Sequence, residues 1–329
     1  MPFLSRSHHL PNSTRVLLGC LVTVSSLLFF IKLARFRAAS GDIKLHDIRV
    51  PYIQLIPRYT IFYPWAVVTS IFAEISVIGF LLSTAVLTVT SRYIEKFWGS
   101  KEVIKFVFIV CSVTNFLTVL ITIISNIIRG DAMGMDKPLG GGISYYIGFL
   151  VALKQLIPEH NIVLFQGLIN FRVKHLPFIC VSVSLLWSLL FSRSLYPFIP
   201  SVESFLITYI YLRFFQLFTV DPLLPVSSND AGNVIYGDAS DVFKLVEFFP
   251  DISKPVLSVV FDKIYELSVL LGVIAPFNDD SVELGNIRAQ KRSEQINQTQ
   301  KSVANSVAER RRQVALQVIE DRINKESRP

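Results

Sequence analysis

Apolar residues in this chain come in long runs rather than in alternation, and six of the runs approach the length of a membrane crossing. They cover about residues 15–34, 66–91, 103–128, 142–157, 176–192 and 202–218. Roughly 20 helical residues are needed to cross the hydrocarbon of a bilayer. The fourth run is only about 15 residues, or about 22 Å at 1.5 Å per residue, so it suits the inside of a bundle better than lipid on all sides. The pattern predicts an all-α membrane protein, a six-helix bundle over residues 1–218. The first run follows a short basic N-terminus, as a secretory signal would. No small-residue cleavage site precedes Lys32, Arg35 and Arg37, which predicts a retained first helix.

The pattern changes after Phe218. Residues 221–241 are rich in Pro, Ser, Asn, Gly and Asp and read as a linker. Over 256–274, Val256, Val260, Ile264, Leu267 and Leu271 recur at helical spacing while Asp262, Lys263 and Glu266 share another side, which predicts an amphipathic surface helix rather than a seventh span. The polar composition of 281–301 predicts disorder. Residues 303–324 contain AERRRQVALQVIEDRI, good helix formers with Val307, Val314 and Val318 on one side. Such a stripe, flanked by Arg310, Arg311 and Arg312, is a candidate partner-binding element. Residues 219–329 are thus expected to form a cytosolic, partly helical tail.

Charge sets the orientation. The formal net charge is +7, with 19 lysines and arginines against 9 acids up to Phe218, and 13 against 16 beyond it. Positive charge beside spans is the ordinary cytoplasmic-loop bias, so it does not point to nucleic acid. An even span number places both termini together. With the termini in the cytosol, the inside loops hold Arg92, Lys96, Lys101, Lys105, Lys154, Arg172 and Lys174, and the later outside loops only Arg129, Lys137 and Arg193. The loop over 32–58 opposes this reading with six basic residues, but Tyr52, Tyr59, Phe62, Tyr63 and Trp65 at its end suit a membrane interface. Cys20, Cys111 and Cys180 all fall in apolar runs, and no spacing suggests a metal, a cofactor or a disulfide framework.

Candidate chemistry is sparse. Ser144 follows the glycine-rich KPLGGGI, but Ser144, Gly148 and Ala152 stand four residues apart and form a small-residue stripe suited to close helix packing. A serine nucleophile needs a base, and His8, His9, His46, His160 and His175 all lie outside the spans. Glu74 is read as the one carboxyl well inside an apolar run, where a functional site and a hydrogen-bonded interface position compete. Arg213, late in the sixth run, is expected to snorkel as an interface anchor. Glu95, Trp98 and Gly99 in YIEKFWGSKE mark a tight connection between spans, with an indole packed on helix ends and a bend that glycine makes easily.

The junction IEKFWGS and the entry GGISYYIG, with Gly141 and Gly142 before the short fourth helix, resemble the rhomboid-like membrane fold. PWAVVTSIFAE, YIEKFWGSKE, GFLVALKQ, YLRFFQ, EFFPDISKPV and AERRRQVAL are further similar to the transmembrane protein 115 family of Golgi membrane proteins, in order along most of the chain. Active rhomboid proteases open the fourth helix with Gly-x-Ser-Gly and a later glycine. Setting that glycine on Gly148 puts Ile143, not Ser144, at the nucleophile position, and the sixth run lacks the histidine of active members. The resemblance therefore implies a pseudoprotease without catalytic residues, a Golgi location with the endoplasmic reticulum as second choice, and a part in retrograde Golgi-to-endoplasmic-reticulum transport. Its implied partners are the bilayer, transmembrane clients and cytosolic trafficking or tethering factors, with homo-oligomerisation open. Two other classes stand beside it: an active intramembrane serine protease, and a small transporter using Glu74, although the spans outline no charged path or inverted repeat.

Overall fold

The computed structural model describes residues 10–38, 47–131, 133–164, 169–192, 194–219 and 234–326. Five helices are long and apolar enough to cross a membrane: α1 (Asn12–Ala38), α2 (Val77–Trp98), α3 (Ser100–Arg129), α5 (Val173–Ser192) and α6 (Phe198–Phe215). Between α3 and α5 lies the shorter apolar α4 (Ile143–Leu156). The tail adds α7 (Lys254–Leu270) and α8 (Asp279–Glu326). Two short antiparallel ladders are also present, β1 (Asn161–Leu164) with β2 (Ile169–Arg172) and β3 (Leu217–Thr219) with β4 (Val234–Tyr236).

Local chemistry sets the ends. The second span begins at Val77, later than the expected residue 66, because the Ser76 hydroxyl accepts from Gly79 N at 3.0 Å and caps the helix there. The apolar stretch before it forms short helical turns, Ala66–Thr69 and Ser70–Phe72, whose Ala66, Ile71 and Phe72 are buried against the bundle. Apolarity there reflects packing rather than crossing. Gly99, at φ +79°, turns the chain from α2 directly into α3, a conformation strained for any side chain-bearing residue. The Trp98 ring stacks edge-on to Phe106 at 5.2 Å across that turn.

Helix α4 is the axis of the core. Tyr145, Phe149, Val151, Ala152 and Leu156 are buried, packed with Phe106 and Val110 of α3 and Phe205 and Leu212 of α6. Gly148 makes the approach to α6 possible: a Cβ there would stand 3.2 Å from Thr208 Oγ1 and 3.6 Å from the Phe106 ring. The stripe of Ser144, Gly148 and Ala152 is buried as its spacing predicts.

The tail returns to the bundle. The expected linker 221–241 falls outside the described residues up to 233. Its described remainder is ordered: β4 pairs with β3 at the end of α6, and Asp238, Ala239 and Ser240 are buried. Phe243 and Phe248 join the main core. The segment 281–301, expected to be disordered, lies within α8, because its polar residues are helix formers and its first turns dock on this returning strand. Asn286 exchanges hydrogen bonds with Asp241 at 2.8 Å in both directions, and Gly285 packs on the Ser240 backbone, 2.7 Å from where a Cβ would sit.

Candidate functional site

Two polar belts sit at the two ends of α4. At its N-terminal mouth, the carboxyl of Glu74 accepts from Gly142 N at 2.9 Å and from the Ser83 hydroxyl, which also meets the Tyr146 hydroxyl. Glu74 N donates to Ser25 Oγ at 3.3 Å, tying α1 to the same point. Gly140 and Gly141 approach with φ of +105° and +93°, and Gly141 N donates to the Ser70 carbonyl at 3.2 Å. A Cβ on Gly140 would stand 3.3 Å from Ser70 Cβ, so the strained backbone and the closeness both call for glycine. Asn115 of α3 binds Val67 O at 2.9 Å and Ser70 Oγ at 3.1 Å, and Tyr196 binds Gly140 O at 2.7 Å. Glu74 thus lies before the second span rather than inside it, as the cap of another helix.

Ser144 is the second residue of α4, in the first turn at this mouth, and is 2% exposed. Its carbonyl accepts from Ser204 Oγ, while its own hydroxyl has no hydrogen-bond partner among the described residues. His160 and His175 both follow the far end of α4, and His175 Nδ1 is 3.4 Å from Phe248 O. His8, His9 and His46 lie outside the described residues. Among the described residues no three His, Cys, Asp or Glu side chains gather as a metal site.

The sixth span carries a buried carboxyl of its own. Glu203, in the second turn of α6, is 8% exposed, accepts from Thr118 of α3 through one oxygen and leaves the other without a partner. Its place close to the start of an apolar run hid it. At the junction of α2 and α3, Glu95 accepts from the Ser13 and Ser100 hydroxyls and so joins α1 to the turn at Gly99.

The belt at the C-terminal end of α4 holds the tail. The Lys154 ammonium, on a residue 1% exposed, donates to Val242 O at 2.7 Å and lies 4.0 Å and 5.0 Å from the ring centres of Phe248 and Phe243. Gln155 donates to Asp238 at 3.0 Å and to Gln216 at 3.2 Å. Arg213 does not snorkel. It is buried, and one of its nitrogens donates to the carbonyls of Asp238 and Ser240 at 2.6 and 2.7 Å, with Phe277 under its guanidinium. Asp238 also accepts from Ser240 N at 3.1 Å and pairs with Arg292 of α8 at 3.1 Å. Burial alone would raise the Asp238 carboxyl, but the Arg292 charge and the Ser240 hydrogen bond more than offset it and hold it below the usual carboxylate range.

Residues 15–325 match the family model described as eukaryotic integral membrane protein (DUF1751). The chain belongs to the DUF1751 family. A transmembrane protein 115 homolog of Saccharomyces cerevisiae is 30% identical over 95% of this chain and 93% of its own length. The rhomboid-like protein 19 of Arabidopsis thaliana is 32% identical over 63% of each chain, and mouse transmembrane protein 115 is 25% identical over 80% of this chain and 69% of its own. No solved structure matches the chain. Because the DUF1751 match continues through the tail to residue 325, it takes in the docking segment as well as the spans.

Within this DUF1751 chain, the tail candidates from the sequence stand apart from both belts. Arg310, Arg312 and Val314 are exposed on α8, whereas the side chains of Arg311 and Val318 lie outside the described residues. Lys154, Asp238 and Arg292 were not singled out as a site by sequence. The aromatic run in EFFPDISKPV was the available signal, since Phe248 and Phe249 in a polar tail need a surface to cover them.

Proposed function

We propose that this protein is a non-catalytic rhomboid-like scaffold of the Golgi membrane, acting in retrograde transport to the endoplasmic reticulum with both termini in the cytosol. In this reading the bundle holds transmembrane clients, and the exposed part of α8 recruits cytosolic trafficking factors. The observation that carries the non-catalytic part is the Glu74 carboxyl on Gly142 N. Acyl transfer by a serine at a helix mouth needs preorganised N–H donors aimed at the developing oxyanion. Here a carboxyl oxygen already takes such a donor, and no described histidine reaches Ser144. Resemblance to the transmembrane protein 115 family supports the trafficking part, as does a tail helix whose Arg310, Arg312 and Val314 face solvent.

The test pairs chemistry with transport. In cells lacking the protein, wild type and Ser144→Ala should restore retrieval of a cycling Golgi cargo equally, and a chain ending after Arg292 should fail to restore it. A fluorophosphonate probe should leave the purified protein unlabelled. Labelling that disappears in Ser144→Ala would restore the protease, and full rescue by the shortened chain would end the recruitment model.

A further inference from the structure

We infer that α7 lies in the membrane interface, with its outward face seated in the acyl chains beside α5 and α6. The helix is pinned to the bundle beside the start of α5 and the end of α6. Phe178, in the early turns of α5, stacks on Phe249 at 5.2 Å, and Phe249 stacks on Phe261 of α7 at 5.6 Å. Phe214, in the last turn of α6, lies parallel to Tyr265 of α7 at 6.5 Å and to Phe277 at 5.3 Å. Phe277 N donates to the Tyr265 hydroxyl at 3.1 Å, closing the far end of the helix onto the same site. Phe261 and Tyr265 are one turn apart, so one side of α7 faces the ends of two spans.

A second side of the helix is apolar and uncovered. Val256, Ile264, Leu267 and Leu271 are 70%, 55%, 55% and 67% exposed, and no residue of α7 is fully buried. At 1.5 Å per residue the 17-residue helix is about 25 Å long, and a stripe of that length exceeds what a water-facing surface ordinarily leaves bare. The lipid-facing sides of α5 and α6 are bare in the same way, with Leu186, Leu189, Leu206 and Ile210 exposed. The α7 stripe is therefore held against spans whose own outward faces require hydrocarbon. Bilayer is the occupant that covers both without a gap, and the polar flank of Asp262 and Glu266 can remain in water. Lys254 and Lys263 balance Asp262 and Glu266, so attachment comes from apolar area and does not depend on anionic lipid.

The experiment uses the full chain in nanodiscs of phosphatidylcholine, one copy per disc, with a photoreactive benzoylphenylalanine in place of Val260, Leu267 or Asp262 in separate samples. Phospholipid adducts should form at positions 260 and 267 and be lost at 262, and adding phosphatidylserine should leave the yields unchanged. Adducts equal at all three positions, or absent at 260 and 267, overturn the inference. So does irradiation in cells that captures a protein rather than lipid at both apolar positions, which would assign the face to a partner chain. Three independent sites keep the test valid if one substitution disturbs folding.

Discussion

Asp238→Asn should release the start of α8 from the bundle without unfolding the spans. The Asp238 residue is 2% exposed and its carboxylate receives Gln155 Nε2, Ser240 N and Arg292 Nη2 at 3.0–3.1 Å. The Arg292 side chain is 17% exposed. Removing one partner of a buried ion pair typically costs about 3–5 kcal/mol, because the other charge stays behind without compensation. Arg292 stands at the rim, so the lower end applies, about 3 kcal/mol. At about 1.4 kcal/mol per factor of ten, the detached population of the α8 start rises roughly a hundredfold. Hydrogen–deuterium exchange of the full chain in nanodiscs reads this directly: protection of 279–292 should fall by about that factor while α3 and α4 stay protected. The pH dependence follows from the depressed Asp238 value. A carboxylate held below its ordinary 3.8 contributes stability above that pH and loses it as pH falls through the folded value. Wild-type protection, corrected for intrinsic exchange, should be flat from about pH 8 to 5 and drop only in more acidic solution. Unchanged exchange at 279–292 in Asp238→Asn would show that the pair does not hold the tail.

Glu74→Leu leaves Gly142 N–H without its acceptor and the Ser83 hydroxyl with Tyr146 alone, a loss of about 2 kcal/mol. Glu74→Gln, which keeps an acceptor for Gly142, should melt closer to wild type in detergent, and equal melting of the two variants would rule out the capping role. Ser144→Ala should melt like wild type, whereas Gly148→Leu, driven into Thr208 and Phe106, should lose at least about 1–3 kcal/mol through overpacking, visible as a lower melting midpoint and reduced yield. Val314→Asp should weaken proximity labelling of cytosolic proteins by a ligase fused to the tail while leaving membrane insertion intact. Undiminished labelling would remove Val314 from the binding surface.

The bundle was legible because membrane crossing needs long apolar runs, and α1, α3, α5 and α6 fall on those expected. Apolarity alone extends the second span back to residue 66, because it cannot tell a buried turn from a crossing helix. What separates them is the Ser76 cap and the contact of Ile71 and Phe72 with the core. The tail was harder to read for the opposite reason. Asp238 and Ser240 look solvated in sequence, yet each is buried where polar groups from α4, α6 and the returning strand satisfy one another. Arg213 misled in the same way. An arginine late in a span ordinarily reaches for water, but here two backbone carbonyls are nearer. The close packing of Gly148 was readable, since the four-residue spacing of small side chains has few other uses in a buried helix.

Helix α4 connects these features. Its 14 residues span about 21 Å, short of the hydrocarbon thickness, and Tyr145, Phe149, Val151 and Ala152 are all but inaccessible, so neighbouring helices rather than lipid surround it. A helix enclosed in this way meets water-facing chemistry only at its ends, and each end is held by a group from elsewhere in the chain. Glu74 takes an amide at the entrance, and Lys154 and Gln155 take the returning tail at the exit. In this chain the entrance is tied to α1 and α2 through Ser25 and Ser83, and the exit is tied through Asp238 to α8. Helix α4, most of whose residues are buried, is thereby anchored at both ends, one to the connection ahead of α2 and the other to the segment that carries the tail.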